Sequence, residues 1–181
     1  MIIKGSIFGR HFGFSYYKSG KKDIYGYTNR CDDGKFIVFL DYDDIPLSWI
    51  KKEIVYMQED FNLGTFYILQ SSENSFHCVC FSKVKREELI NILRNSSVDD
   101  NYYLIPNTIG RKLLTLRLTN KRGMKPIFLE KIERKSNILE SYEHKKFFHR
   151  WFNIIDDGDV NRNNDLKHKS IIQFSNYKVK E

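Results

Sequence analysis

The stretch Phe36-Ile37-Val38-Phe39-Leu40-Asp41-Tyr42-Asp43-Asp44 constrains the fold more than any other in this chain. Five β-prone apolar residues follow the turn signal Asp32-Asp33-Gly34, so Phe36 to Leu40 reads as a buried strand. Side chains at i and i+2 of a strand point the same way, which puts the carboxylates of Asp41 and Asp43 side by side on one face of the strand end. Like charges that close repel each other unless a cation lies between them, so the pair asks for a divalent metal. The plainer reading is that Asp43 and Asp44 cap a helix opened by Pro46.

At 181 residues, with 41% hydrophobic and 15% aromatic side chains, the sequence describes one globular domain, 1–181, large enough for a core. A net charge of +7 suits a polyanionic partner such as nucleic acid, although AT-rich coding also enriches a chain in Lys, Asn, Ile and Tyr. Cys31, Cys78 and Cys80 form no CxxC pair, and Cys78 and Cys80 flank Val79 in a strand-like run. Buried thiols are therefore expected in preference to a zinc site. No apolar run is long enough to span a bilayer, and Met1-Ile-Ile-Lys-Gly5 lacks a signal-peptide pattern. The expectation is an intracellular protein with no membrane partner, acting at a nucleoid or at a viral or plasmid replication site.

Along the chain, residues 1–34 read as short strands or loops ahead of the core. The spacing of Ile50, Ile54, Met57 and Phe61 predicts a helix from Pro46 to about Asp60, ended by Gly64. Thr65 to Gln70 and Phe76 to Phe81 read as a pair of strands joined by the polar turn Ser71–Ser75. A second helix is expected from Lys85 to Arg94, with Leu89, Ile92 and Leu93 inward. Strands are expected near Tyr102–Ile105, Leu113–Thr119 and Ile127–Leu129, with a basic loop at Asn120–Pro126. Beyond Glu130 a helix over Ser141–Phe152 is anchored by Tyr142, Phe147, Phe148, Trp151 and Phe152. A polar loop over Asp156–Lys169 and a last strand within Ser170–Tyr177 complete the chain. The fold class is α+β, one mixed or antiparallel sheet with flanking helices.

Asp41-x-Asp43, then Ser72-Glu-Asn-Ser75-Phe-His77 between two strands, then Val98-Asp99, then the series Arg111, Arg117, Asn120, Lys121 stand in a meaningful order. Over about Phe36 to Pro126 this series resembles the catalytic core of the archaeo-eukaryotic primase (primase-polymerase) superfamily. Glu73 and Asn74 stand where that family usually has glycines, and Asp99 shares the third acidic position with Asp100. The resemblance implies an RRM-like core within residues 36–129 and a helical or looped extension over 130–181. It implies template-directed nucleotidyl transfer on single-stranded DNA, with nucleoside triphosphates as substrates and helicase or other replication proteins as partners.

Two Mg²⁺ or Mn²⁺ ions would be held by Asp41, Asp43 and Asp99, hard oxygen ligands of the type such cations prefer. Ser72, His77, Arg117 and Lys121 would bind the nucleotide, and Arg111, Arg122 and Lys125 would contact nucleic acid. No residue identifies a sugar pocket; Tyr42, between the two aspartates, is near enough to be suspected. Two other functions compete: a primase-like binding module that has lost catalysis, and a metal-dependent nuclease.

Overall fold

The computed structural model describes residues 2–7, 10–15, 25–99, 102, 113–120, 123–155 and 174–176. In chain order its strands are β1 (Ile2–Ile7), β2 (Arg10–Ser15), β3 (Tyr25–Thr28), β4 (Phe36–Asp43), β5 (Phe66–Ser72), β6 (Ser75–Val84), β7 (Thr115–Arg117), β8 (Ile127–Ile132) and β9 (Phe174–Asn176). The helices are α1 (Leu47–Asp60), α2 (Arg86–Arg94) and α3 (Tyr142–Phe152). The class is α+β, but the described strands form three antiparallel sheets instead of the single sheet expected. These are a β1–β2 hairpin, a β7–β3–β9 sheet and a four-stranded β4–β6–β5–β8 sheet.

The four-stranded sheet carries the core. Its first three strands are connected as β4–α1–β5–β6, with β6 inserted between β4 and β5 and antiparallel to both. This is a split β-α-β unit, the kernel of ferredoxin-like folds. A crossover through α1 carries the chain from β4 to β5, and the tight turn at Glu73-Asn74 returns it as β6. Among the described residues no helix is long and apolar enough to cross a membrane.

Both faces of this sheet are covered. Val38, Leu40, Cys78, Cys80, Phe66 and Ile68 share one face and are buried. Helix α1 packs there through Ile50, Ile54 and Met57, and Tyr42 Oη donates to Glu53 Oε1 on the same helix at 2.8 Å. The expected inner stripe of α1 holds, except that Gln58 is buried and Phe61 lies at the rim. Gln58 is satisfied by donating to the carbonyls of Gly64 and Ile132 at 2.9 and 3.0 Å. Cys78 and Cys80 are free and buried, as their strand setting predicts, and Cys31, outside any strand, is free and buried as well.

The opposite face presents Phe39, Asp41, His77, Val79, Phe81, Tyr67 and Leu69. Helix α3 covers its middle: Phe148 meets Tyr67 and Phe81 edge-on, with ring centroids 5.4 Å apart in both cases. Burying a ring such as Phe148 completely contributes roughly 1.5–3 kcal/mol, so this contact is enough to dock the helix. Tyr27 of β3 packs on Phe39 at 5.3 Å and joins the smaller sheet to the same layer. Within that smaller sheet Gly26 permits the close approach of β3 to β7, because a Cβ there would meet the Leu116 carbonyl and stand 2.6 Å from Thr115 Cγ2.

The phase of α3 differs from the sequence expectation. Phe148 is buried, Phe147 and Phe152 are half-buried, and Tyr142 and Trp151 are exposed. His144 and His149 take the inward places. His144 is held by Ser141 Oγ on Nδ1 at 2.7 Å and donates from Nε2 to the Thr28 carbonyl at 3.1 Å. Polar groups so satisfied are tolerated in a core, and apolar counting does not anticipate them.

Candidate functional site

The apolar run of β4 continues as strand through Asp43, so the aspartates belong to the sheet and do not cap α1, whose N-cap is Pro46. Asp41 stands opposite His77 and Asp43 opposite Ser75 on β6. Because the register is antiparallel and unshifted here, the Asp41 and His77 side chains project from the same face and meet. His77 Nε2 donates to Asp41 Oδ1 at 3.2 Å, with side-chain exposures of 10% and 32%. Nδ1 of His77 is buried and has no hydrogen-bond partner among the described residues. Asp43 is exposed at the strand end, next to a turn pinned by Asp44 N–H donating to Asn74 O at 2.9 Å.

Ser72 and Ser75 face each other across that turn, at the end of β6 that carries His77. The polar turn therefore lies beside the acidic strand end, which the linear order of the motifs suggests. Tyr42 does not: it is fully buried, points to α1 and bonds Glu53. The period-2 rule that pairs Asp41 with Asp43 sends the residue between them to the other face.

Asp99 is exposed, just beyond the C-terminus of α2. The nearby Ser97 is fastened to α1: its N–H donates to Glu53 Oε1 at 2.9 Å, its hydroxyl donates to Glu53 Oε2, and Trp49 Nε1 donates to its Oγ at 3.4 Å. Asp99 thus leaves from the helical layer, while Asp41 and Asp43 face away from it. Among the described residues no group of three or more His, Cys, Asp or Glu side chains is gathered to hold a metal ion. Asp41 and Asp43 alone fit the habit of Mg²⁺, which binds through one or two carboxylates and takes its other oxygens from water and substrate phosphates.

Arg117 on β7 is only 7% exposed. Its Nη2 donates to Ser71 O at 2.7 Å, and its Nη1 donates to Thr119 O and Met124 O at 3.0 and 3.1 Å. The guanidinium ties the end of β5 to β7 and to the loop entering β8. Lys125 follows in that loop, exposed, with Nζ 5.2 Å above the Trp151 ring. Arg111, Lys121 and Arg122 lie outside the described residues, as do Asp100 and most of the expected Tyr102–Ile105 strand.

A cavity of about 280 Å³ opens elsewhere, lined among others by Cys31, Asp33, Lys83, Glu140 and His144. Lys83 is six strand positions along β6 from His77, roughly 20 Å away. Two of its charges are paired: Lys83 with Asp33 at 2.9 Å, and Glu140 with Lys145 at 3.0 Å. The Lys83 ammonium holds the Asp33 carboxyl below its ordinary pKa, and burial pushes the Cys31 thiol up, so Cys31 is no ready thiolate.

No protein-family model, curated protein or solved structure matches this chain.

Proposed function

We propose that this chain carries out template-directed nucleotidyl transfer on single-stranded DNA, with Mg²⁺ or Mn²⁺ held at Asp41 and Asp43. One observation carries the reading. Two carboxylates stand on the same face at the end of β4, in a split β-α-β unit whose helix α1 packs on the other face, and Asp41 is in contact with His77. The connectivity supports the RRM-like core that the sequence resemblance implies. Bound there, divalent cations would activate the attacking 3′ hydroxyl and offset the charge of the triphosphate.

The protein's own groups have separate roles in this reading. Asp41 accepts from Nε2–H, which fixes the ring plane of His77 and its tautomer. The buried Nδ1, without a hydrogen-bond partner among the described residues, is the ring position left open to a group of the substrate. Asp43, exposed at the strand end, contributes its oxygens where substrate arrives. Arg117 is a positioning residue that sets the loop bearing Lys125.

The test is extension of a labelled primer on a single-stranded template, with Mn²⁺ or Mg²⁺ and either dNTPs or NTPs. The Asp41→Ala/Asp43→Ala variant should lose activity by more than about 100-fold, since metal assistance supplies several kcal/mol and each ~1.4 kcal/mol is tenfold. Equal product from the variant sinks the proposal. Shortening of the labelled strand instead would identify the nuclease reading.

A second reading, a primase-like nucleic-acid-binding module without catalysis, draws support from Asp99 leaving the helical layer and from Arg117 being occupied by backbone carbonyls. It predicts metal-independent DNA binding, identical in wild type and double variant, with no product in either.

A further inference from the structure

We propose that the outer surface of α3, together with Lys125, is a docking path for single-stranded DNA, in which bases stack on Trp151 and Tyr142 and phosphates meet Lys125, Lys146 and Arg150. The choice of DNA rests on the nucleotidyl-transfer reading; the surface itself rests on its own observations. Trp151 and Tyr142 are 37% and 47% exposed, and each already carries a cation over its ring. Lys125 Nζ lies 5.2 Å from the Trp151 centroid, and Lys146 Nζ lies 5.6 Å from that of Tyr142. Trp151 is further held flat against Phe147, with centroids 5.8 Å apart and planes 25° from parallel. A large ring kept rigid at the surface is a stacking platform that needs little ordering on binding.

The charges are complementary to a polyanion at the Trp151 end of the surface, whereas at the Tyr142 end Asp32, Asp33, Glu140 and Glu143 line the adjoining cavity beside Arg30 and Lys83. Lys125, Lys146 and Arg150 are exposed and make no ion pair with any described carboxylate. Glu143 is the acidic residue of α3 itself, and the nearby Glu140 is already paired with Lys145.

The surface also leads to the acidic strand end. Phe148 seats α3 on the face of the sheet that carries Asp41. Arg117 links Met124 to Ser71, and Ile127 pairs with Gln70, so Lys125 lies at the sheet end where Asp43 faces Ser75. From β8 to β4 is three interstrand spacings, about 14 Å at ~4.8 Å each. A strand crossing Trp151 and Lys125 is therefore directed at Asp41 and Asp43.

The chain holds two tryptophans, so Trp49→Phe leaves Trp151 as the only indole. In that variant an oligo(dT) titration should quench Trp151 emission in step with the rise in anisotropy of labelled DNA. Lys125→Gln with Lys146→Gln and Arg150→Gln should weaken binding at least about tenfold. It should also flatten the slope of log K against log salt by about 2, at ~0.7 for each single-strand phosphate that is no longer neutralised. Circular dichroism confirms that the triple variant is folded.

Several results overturn the proposal. One is DNA binding without a change in Trp151 emission; another is unaltered affinity and salt slope in the triple variant. Equal quenching by heparin, tighter binding of oligo(rU) than of oligo(dT), or no binding of DNA at all would do the same. The two readings separate cleanly. Quenching without extension by wild-type protein leaves this surface standing and removes nucleotidyl transfer, while extension without quenching does the reverse.

Discussion

Arg117 offers the sharpest test of what the sequence motif means, because the same residue can serve a ligand or the fold. Its guanidinium is almost wholly buried and donates three hydrogen bonds to main-chain carbonyls of Ser71, Thr119 and Met124. Arg117→Met keeps most of the apolar stem and removes every donor. Each bond from a charged donor contributes about 1.5–3 kcal/mol, and the carbonyls left behind add a desolvation cost unless water reaches them. The three bonds share one group and are not additive, so a loss of about 3–5 kcal/mol is expected. For a chain of this size each 1 kcal/mol shifts Tm by about 2–4 °C, which gives a drop of about 10 °C.

Urea unfolding followed by circular dichroism measures the free energy, and the slope m should stay unchanged, since the native and denatured surfaces are nearly the same in the two proteins. Arg117→Lys should recover little, because one ammonium cannot span three carbonyls set around a planar fork. Nucleotide affinity per folded molecule should be close to wild type, and DNA affinity should fall no further than Lys125→Gln alone lowers it, since Arg117 acts on DNA only through the Lys125 loop. The reasoning is refuted if Arg117→Met unfolds within about 1 kcal/mol of wild type and loses nucleotide or DNA binding. The guanidinium would then act on a ligand, as the primase resemblance implies, and its carbonyl bonds would be incidental.

Two further outcomes follow from the β3–α3 region. Gly26→Ala drives a methyl against the Leu116 carbonyl and Thr115 Cγ2, separating β3 from β7. Overpacking of this kind costs about 1–3 kcal/mol, read as a lower urea midpoint. Burial holds the His144 pKa below its ordinary value, with the bond to Thr28 opposing part of the shift. The unfolded chain therefore binds the proton more readily; stability is complete above the ordinary histidine value and declines as pH falls through ~6.5 toward the folded value. Unfolding at pH 7.5 and 5.5, wild type against His144→Gln, measures this; an equal pH slope in both proteins removes His144 as its source.

Much of the core is legible in local pattern. The period of α1 and α2 puts Ile50, Ile54, Met57, Leu89, Ile92 and Leu93 inside, and all six are buried. The alternation of β4 puts Asp41 and Asp43 on one face. Local pattern fails where the neighbours come from far away in sequence. On α3, five aromatics and two histidines compete for one buried stripe, and the choice of Phe148, His144 and His149 follows from Tyr67, Phe81 and the Thr28 carbonyl. Apolar counting makes anchors of the exposed Trp151 and Tyr142 for the same reason; the basic residues interleaved with them are the signal that points the other way.

The amino-acid sequence by itself determines the elements that a short period encodes: the apolar strand ending in paired carboxylates, the two amphipathic helices beside it, and the hairpin turn between β5 and β6. Those depend on backbone geometry and nearest neighbours, which every window of residues carries. The tertiary structure alone decides which residues meet across the sheet. The register of β4 on β6 brings His77 to Asp41, the route of the chain past α1 sends Asp99 from the helical layer, and the close approach of β7 buries Arg117 among carbonyls. Such pairings are set by packing between segments tens of residues apart, where loop closure and burial of the whole core act together and no local pattern records the outcome.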